Sequence, residues 1–218
     1  MSNNDNNIEK RSFEAFINAI GSEIEQAQVR LISAANAQML FHYWKMGNYI
    51  LYHQNRQGWR SKVIKKLAQA IRFNYPEKKG YSIRNLAYMC QFARSYPLGT
   101  LQSFIETDVK LTNPSVRKIT DAIQSLNNVP FMQEPLAQIQ DVSQTVAAVY
   151  QMPIEDMEKL FMSSPVARIN WASHLIILNS SLPLGVEYWY MKQSVEMGWS
   201  SNVLKMQIDR TAAMQRQG

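Results

Sequence analysis

Apolar residues recur along most of this chain at spacings of three and four, the period of helices that bury one face. Phe13, Phe16, Ile17 and Ile20 predict a first short helix over residues 12–20, after a polar stretch, residues 1–11, expected to be a disordered tail. Gly21 interrupts the pattern, and Ser22 with Glu25 makes a capping-box signature. The period resumes at Ile24, Ala27, Leu31, Ala34 and Ala35 and continues through Met39, Tyr43, Met46 and Ile50 to about Asn55, with a kink expected near Asn36 or Gly47. Such a helix is about 50 Å long at ~1.5 Å per residue, and it suits a spine or a dimerisation element.

Asn55–Gly58 reads as a loop. Ser61 is placed to cap a second helix running to about Asn74, with Val63, Ile64, Leu67, Ala68 and Ile71 inward and Lys62, Lys65, Lys66, Gln69 and Arg72 outward. A linker, Tyr75–Gly80, leads into a helix capped by Ser82 and ended by Pro97. Its inner face is Ile83, Leu86, Ala87, Cys90 and Ala93. Its outer face is Arg84, Asn85, Tyr88, Gln91 and Ser95. Two helices joined this way resemble a helix-turn-helix with a long linker. Residues 98–113 alternate enough to suggest an irregular linker or a small hairpin. Helices are then predicted over 115–126 behind Pro114, over 135–150, over 153–162, over 169–179, over 184–197 and, capped by Ser200, over 201–215. The expected fold is an all-α multi-helix bundle: a long N-terminal helix, a helical basic part over 12–97, and a helical part over 114–218 packing on it.

Composition bounds this picture. Apolar content of 46% with 18% charged residues is globular rather than disordered. A single cysteine, Cys90, excludes an intrachain disulfide and a cysteine-rich metal site, and it points to a reducing, cytoplasmic home. No apolar run approaches the ~20 residues of a membrane span, so no membrane partner is expected. The net charge is +6 and is unevenly spread. Residues 56–94 carry ten basic residues against one acidic, Glu77. A stripe of this kind is an electrostatic footprint for phosphate, usually of nucleic acid, with a solvated surface as the alternative.

Three blocks carry a family resemblance. Gly80, Tyr81, Ser82, Asn85, Leu86, Met89, Phe92, Tyr96 and Pro97 form the first, and Tyr43–Gly47 (YWKMG) the second. The third is Trp171, His174, Leu178, Asn179 and Tyr190, then Gly198-Trp199-Ser200, Leu204, Gln207 and Ile208. Together they resemble the N-terminal domain, of unknown function, of the YhcG family of bacterial proteins. Cys90 stands where a basic residue is expected from the family pattern, and Ala93 where an aromatic is. The resemblance implies a PD-(D/E)XK-type nuclease domain C-terminal to such a region. The chain reaches Gly218 about where that domain would begin, so the expectation is that these residues are the N-terminal part only.

Candidate chemistry within the chain is sparse. Glu77-Lys78-Lys79 and Asp108-Val109-Lys110 match the acid-x-Lys part of a nuclease motif, but neither follows a strand bearing an aspartate. His42, His53 and His174 are isolated, and His174 reads as a core histidine. Tyr43, Trp44, Trp171, Trp189 and Trp199 read as core at helical spacing, whereas Trp59, beside Arg56 and Arg60, is a candidate for contact with nucleic acid. No catalytic residue, cofactor or metal site is therefore expected. The functional expectation is a nucleic-acid-binding and assembly domain, with DNA preferred over RNA as partner. Lys62, Lys65, Lys66, Arg72, Lys78 and Lys79 would hold phosphates, and Arg84, Asn85, Tyr88 and Gln91 would face a groove. The alternative is a helical interaction or dimerisation scaffold with no nucleic-acid role.

Overall fold

The computed structural model describes residues 3–57, 62–112 and 152–215. The predicted Ser61 cap, Trp59, Arg60, the helices over 115–126 and 135–150, and the side chains of Arg56 and Lys62 lie outside the described residues and side chains. Eight α-helices are described: α1 (Asn3–Gln57), α2 (Lys62–Asn74), α3 (Ile83–Ser95), α4 (Leu98–Thr112), α5 (Ile154–Ser163), α6 (Trp171–Asn179), α7 (Leu184–Glu196) and α8 (Ser201–Gln215). A single 3-10 turn, Pro165–Ala167, joins α5 to α6. The fold is all-α, and no strand occurs among the described residues.

Three expectations about boundaries are corrected. The helix expected to begin afresh at Ser22 is continuous with the one before it, because an interior glycine costs a helix only ~1 kcal/mol and does not break it. With no helix start there, Ser22 has no amide to cap, and its hydroxyl accepts instead from Gln26 Nε2 (3.2 Å). The tail expected over 1–11 is helical from Asn3. Residues 98–112 form α4 rather than a hairpin. Leu98, Leu101 and Phe104 bury one helical face there, a period that the intervening threonines obscure.

The chain divides into two compact units, residues 1–36 and 37–218. The described part of the first is α1 alone, and its apolar side chains lie in water: Phe13, Phe16, Ile17, Ile20, Ile24 and Leu31 are all exposed. The second unit holds the core. Leu40, Phe41 and Trp44 of α1 share one buried core with Phe92 of α3 and Phe161 of α5, and the Phe161 ring lies 5.5 Å from that of Phe41, 5.8 Å from that of Trp44 and 6.3 Å from that of Phe92. Trp44 Nε1 donates to the carbonyl of Tyr96 (2.8 Å), which ties α1 to the end of α3. No side chain separates the two helices where they cross. A Cβ on Gly47 would sit 2.0 Å from the Met89 carbonyl oxygen and 2.8 Å from Ala93 Cβ. Gly47 is therefore a close-approach residue, and the small Ala93 opposite belongs to the same contact.

Two buried titratable groups face this core from α6 and α7. His174, fully buried, donates through Nε2 to the Val166 carbonyl (2.8 Å), and its Nδ1 has no partner. Burial holds its pKa down at about 4, so the ring is neutral. Glu187 is nearly buried and accepts from the Tyr96 hydroxyl (2.8 Å), and burial pushes its carboxyl up to about 7. Asp108 of α4 is held by Lys192 (2.8 Å), Arg168 (3.6 Å) and the Tyr188 hydroxyl (2.7 Å). This locks α4 to α7 and to the segment before α6.

Two outcomes are expected. Gly47→Ala should cost about 3 kcal/mol or more in denaturant unfolding, since backbone must move, whereas Gly21→Ala, which meets nothing within 4 Å, should add helix. Equal effects would contradict the close-approach role. The second concerns pH. Folding raises the Glu187 pKa, so its share of stability is full below the ordinary carboxylate value and is lost as pH rises toward about 7. Folding lowers the His174 pKa, so its share is full above the ordinary value of 6.5 and is lost as pH falls toward about 4. The two slopes oppose each other. Glu187→Gln should therefore gain up to about 3 kcal/mol more at pH 8 than at pH 5, relative to the parent chain, in paired denaturant titrations. The same difference at both pH values would contradict it.

Candidate nucleic-acid interface

α2 is amphipathic in the predicted sense. Ala68 is buried, Val63, Ile64, Leu67 and Ile71 are partly so, and Lys65, Lys66 and Arg72 are exposed. Its inward face packs on α3. Residues 75–82 connect the two helices. Tyr75 N–H still bonds back to Ile71 (2.8 Å), and the Lys78 amide bonds to the Tyr75 carbonyl (3.0 Å), closing a turn that leaves Lys78 and Lys79 in water. Gly80 has φ +95, in the left-handed region where a side chain is strained. The chain then enters α3 with Ser82 Oγ accepting from Asn85 N–H (3.2 Å), as predicted. Tyr81 is fixed by His42 Nε2 (2.8 Å), and burial holds the His42 pKa down.

Two concave surfaces meet at Ser82. A hollow of about 490 Å³ is lined by Arg72, Lys78, Lys79 and Ser82. A groove of about 790 Å³ between α3, α6 and α8 is lined by Ser82, Arg84, Tyr88, Asn179, Lys205 and Asp209, among others. The start of α3, whose first turn holds no acid, lies at their junction. Its free amides add positive potential to that of the cations. Among the described residues, no ion pair engages Lys65, Lys66, Arg72, Lys78, Lys79 or Arg84.

The four residues expected to face a groove are not equivalent. Arg84 is exposed and lies 5.9 Å from the centre of the Tyr88 ring. Asn85 donates to the Gly80 carbonyl and accepts from Trp171 Nε1 (2.9 Å). Tyr88 bonds to the side chain of Asn179 (3.1 Å), which, with Arg84, holds its phenol below the ordinary value. Gln91 Nε2 donates to the Leu178 carbonyl (2.9 Å). These three side chains therefore also stitch α3 to α6.

The structure adds residues that the periodicity did not single out. Phe73 is 86% exposed and Tyr75 56%, on either side of Asn74 and next to Arg72. Both lie off the inward face marked by Ile71, which is the signal that could have found them. Lys205 of α8 joins Arg84 across the larger groove, although it pairs with Asp209 (2.6 Å). Trp189, expected in the core, is 41% exposed, because the inward face of α7 is taken by Tyr188 and Met191.

Among the described residues no three His, Cys, Asp or Glu side chains are grouped to hold a metal ion. Glu77 sits in the exposed turn, and Asp108 is engaged in the lock described above. Cys90 is buried, and burial pushes its thiol up to about 11, which disfavours the thiolate. No described helix is long and apolar enough to cross a membrane.

No curated protein matches the chain, and no solved structure does. A family model, the DUF1016 N-terminal domain, matches residues 19–134, just over half of the chain. That span contains Tyr43–Gly47 and Gly80–Pro97, two of the three blocks on which the resemblance to the YhcG N-terminal domain rests. The chain belongs to the DUF1016 N-terminal domain family.

Proposed function

We propose that this chain is the nucleic-acid-binding part of a YhcG-like protein, with α2, the 75–82 turn and the start of α3 as its contact surface. The observation that carries this reading is the set of six exposed cations, Lys65, Lys66, Arg72, Lys78, Lys79 and Arg84, free of ion pairs among the described residues, of which Arg72, Lys78, Lys79 and Arg84 line the two concave surfaces that meet at the start of α3 while Lys65 and Lys66 lie on the exposed face of α2. Unpaired cations can release counterions from a phosphate backbone without first breaking a bond of their own. Lys62 falls on the same outward face by sequence. α2 and α3 then serve as a loose helix-turn-helix, with α3 presented to a groove.

Arg84 is the side chain best placed to reach a base edge. Asn85, Tyr88 and Gln91 can join it only with the bonding capacity left over from their contacts with α6. Phe73 and Tyr75 offer ring faces on which an unpaired base can stack. DNA is the favoured partner, the cytoplasm the favoured compartment, and any nuclease chemistry belongs to a domain outside these residues.

Replacing Lys65 and Lys66 with alanine should weaken duplex binding on every sequence and lower the salt slope by about one unit per lost phosphate contact. The measurement is fluorescence anisotropy across a salt series, and an unchanged slope would remove both residues from the interface. Arg84→Ala should cost about 1–3 kcal/mol on a selected site and less on random DNA. Equal losses on both would deny it a reading role.

A further inference from the structure

The exposed apolar residues of the first unit are in register with one another. Phe13, Ile17, Ile20, Ile24, Ala27, Leu31 and Ala34 alternate in steps of four and three, which is a heptad pattern sustained over three heptads. A helix packing on a broad globular core drifts toward a 3.6 period and a wide face, whereas a strict seven-residue seam fits another helix with the same repeat. The seam is in water: Ile17 is 51% exposed, Ile24 54% and Leu31 71%. Ile17, Ile24 and Leu31 take the a positions, and Phe13, Ile20, Ala27 and Ala34 the d positions.

From this register we infer that residues 13–34 of α1 form an antiparallel two-stranded coiled coil with a second copy of this chain. The charges set the direction. Glu23 and Arg30 both occupy g positions, and within one chain they already pair at 2.6 Å. In a parallel pair, Glu23 faces the partner's Gln28 and Arg30 faces the partner's Ala35, so neither charge is matched. In the antiparallel pair that sets Ile24 against the partner's Ala27, Glu23 meets the partner's Arg30, and the symmetry repeats the contact. The seam volumes agree. Ile17 lies against the partner's Ala34 and Ile24 against the partner's Ala27, each a large side chain against a small one. Ile20 and the partner's Leu31 form the layers between. A parallel pair would instead stack Phe13 on its own copy at one end and alanine on alanine at the other. Phe16 flanks the seam beside Phe13, with ring centroids 6.5 Å apart, while Val29 and Ile32 lie off it.

The test uses the full chain and is independent of nucleic acid. Sedimentation across a concentration series should show a monomer–dimer equilibrium, and Ile24→Asp should shift it to monomer with helical content retained. A parent chain that stays monomeric, or a dimer unaffected by Ile24→Asp, would overturn the inference. Orientation is read by oxidation in a Cys90→Ala background. A mixture of Ile20→Cys and Leu31→Cys chains should cross-link into the mixed dimer. Efficient self-cross-linking of Ile17→Cys chains, whose copies lie about 25 Å apart along the antiparallel pair at ~1.5 Å per residue, would show a parallel pair and overturn the antiparallel assignment.

Discussion

The second unit depends on the contact of two backbones. At Gly47 the chain of α1 comes so near the Met89 carbonyl that no side chain fits between them. That approach lets Trp44 reach the carbonyl of Tyr96 and brings Phe41 and Trp44 against Phe161. It also fixes α3 in rotation, so that Cys90, Phe92 and Ala93 face inward while Arg84 faces water. Cys90 is buried and Ala93 lies at the crossing with Gly47, so a basic side chain at position 90 would be buried and an aromatic at 93 would press on the crossing unless its neighbours moved.

The core that results is aromatic and carries few charges. The buried groups it does hold are anchored one by one: His174 to a backbone carbonyl, Glu187 to Tyr96, and Asp108 to two cations and a phenol. Among the described residues none of them belongs to a grouping of His, Cys, Asp and Glu that could hold a metal ion. The cations of α2 and the turn, by contrast, take part in no ion pair among the described residues.

Much of this was legible in the sequence. The Ser82 cap and the stop at Pro97 bound α3, and Ser200 caps α8 as expected (3.3 Å to Val203 N–H), because local hydrogen-bond chemistry decides such ends. His174 was legible as core from the apolar run around it. Gly21 misled, because glycine weakens a helix without ending it. Residues 98–112 misled, because Thr100 is buried and Thr107 turns its hydroxyl back to the Ser103 carbonyl, so neither marks a polar face. The site was legible as charge but not as geometry. That Asn85, Tyr88 and Gln91 are bonded to α6 depends on contacts some 90 residues apart in sequence, which no local period encodes.

The central claim is a place as well as a partner, and amide hydrogen exchange tests both at once. Exchange should be followed on the full chain at low salt, with and without duplex DNA. The account predicts added protection across α2, the 75–82 turn and the first turns of α3, lost again at high salt. Protection confined to other helices, or none at a DNA concentration that saturates ordinary basic domains, would contradict it.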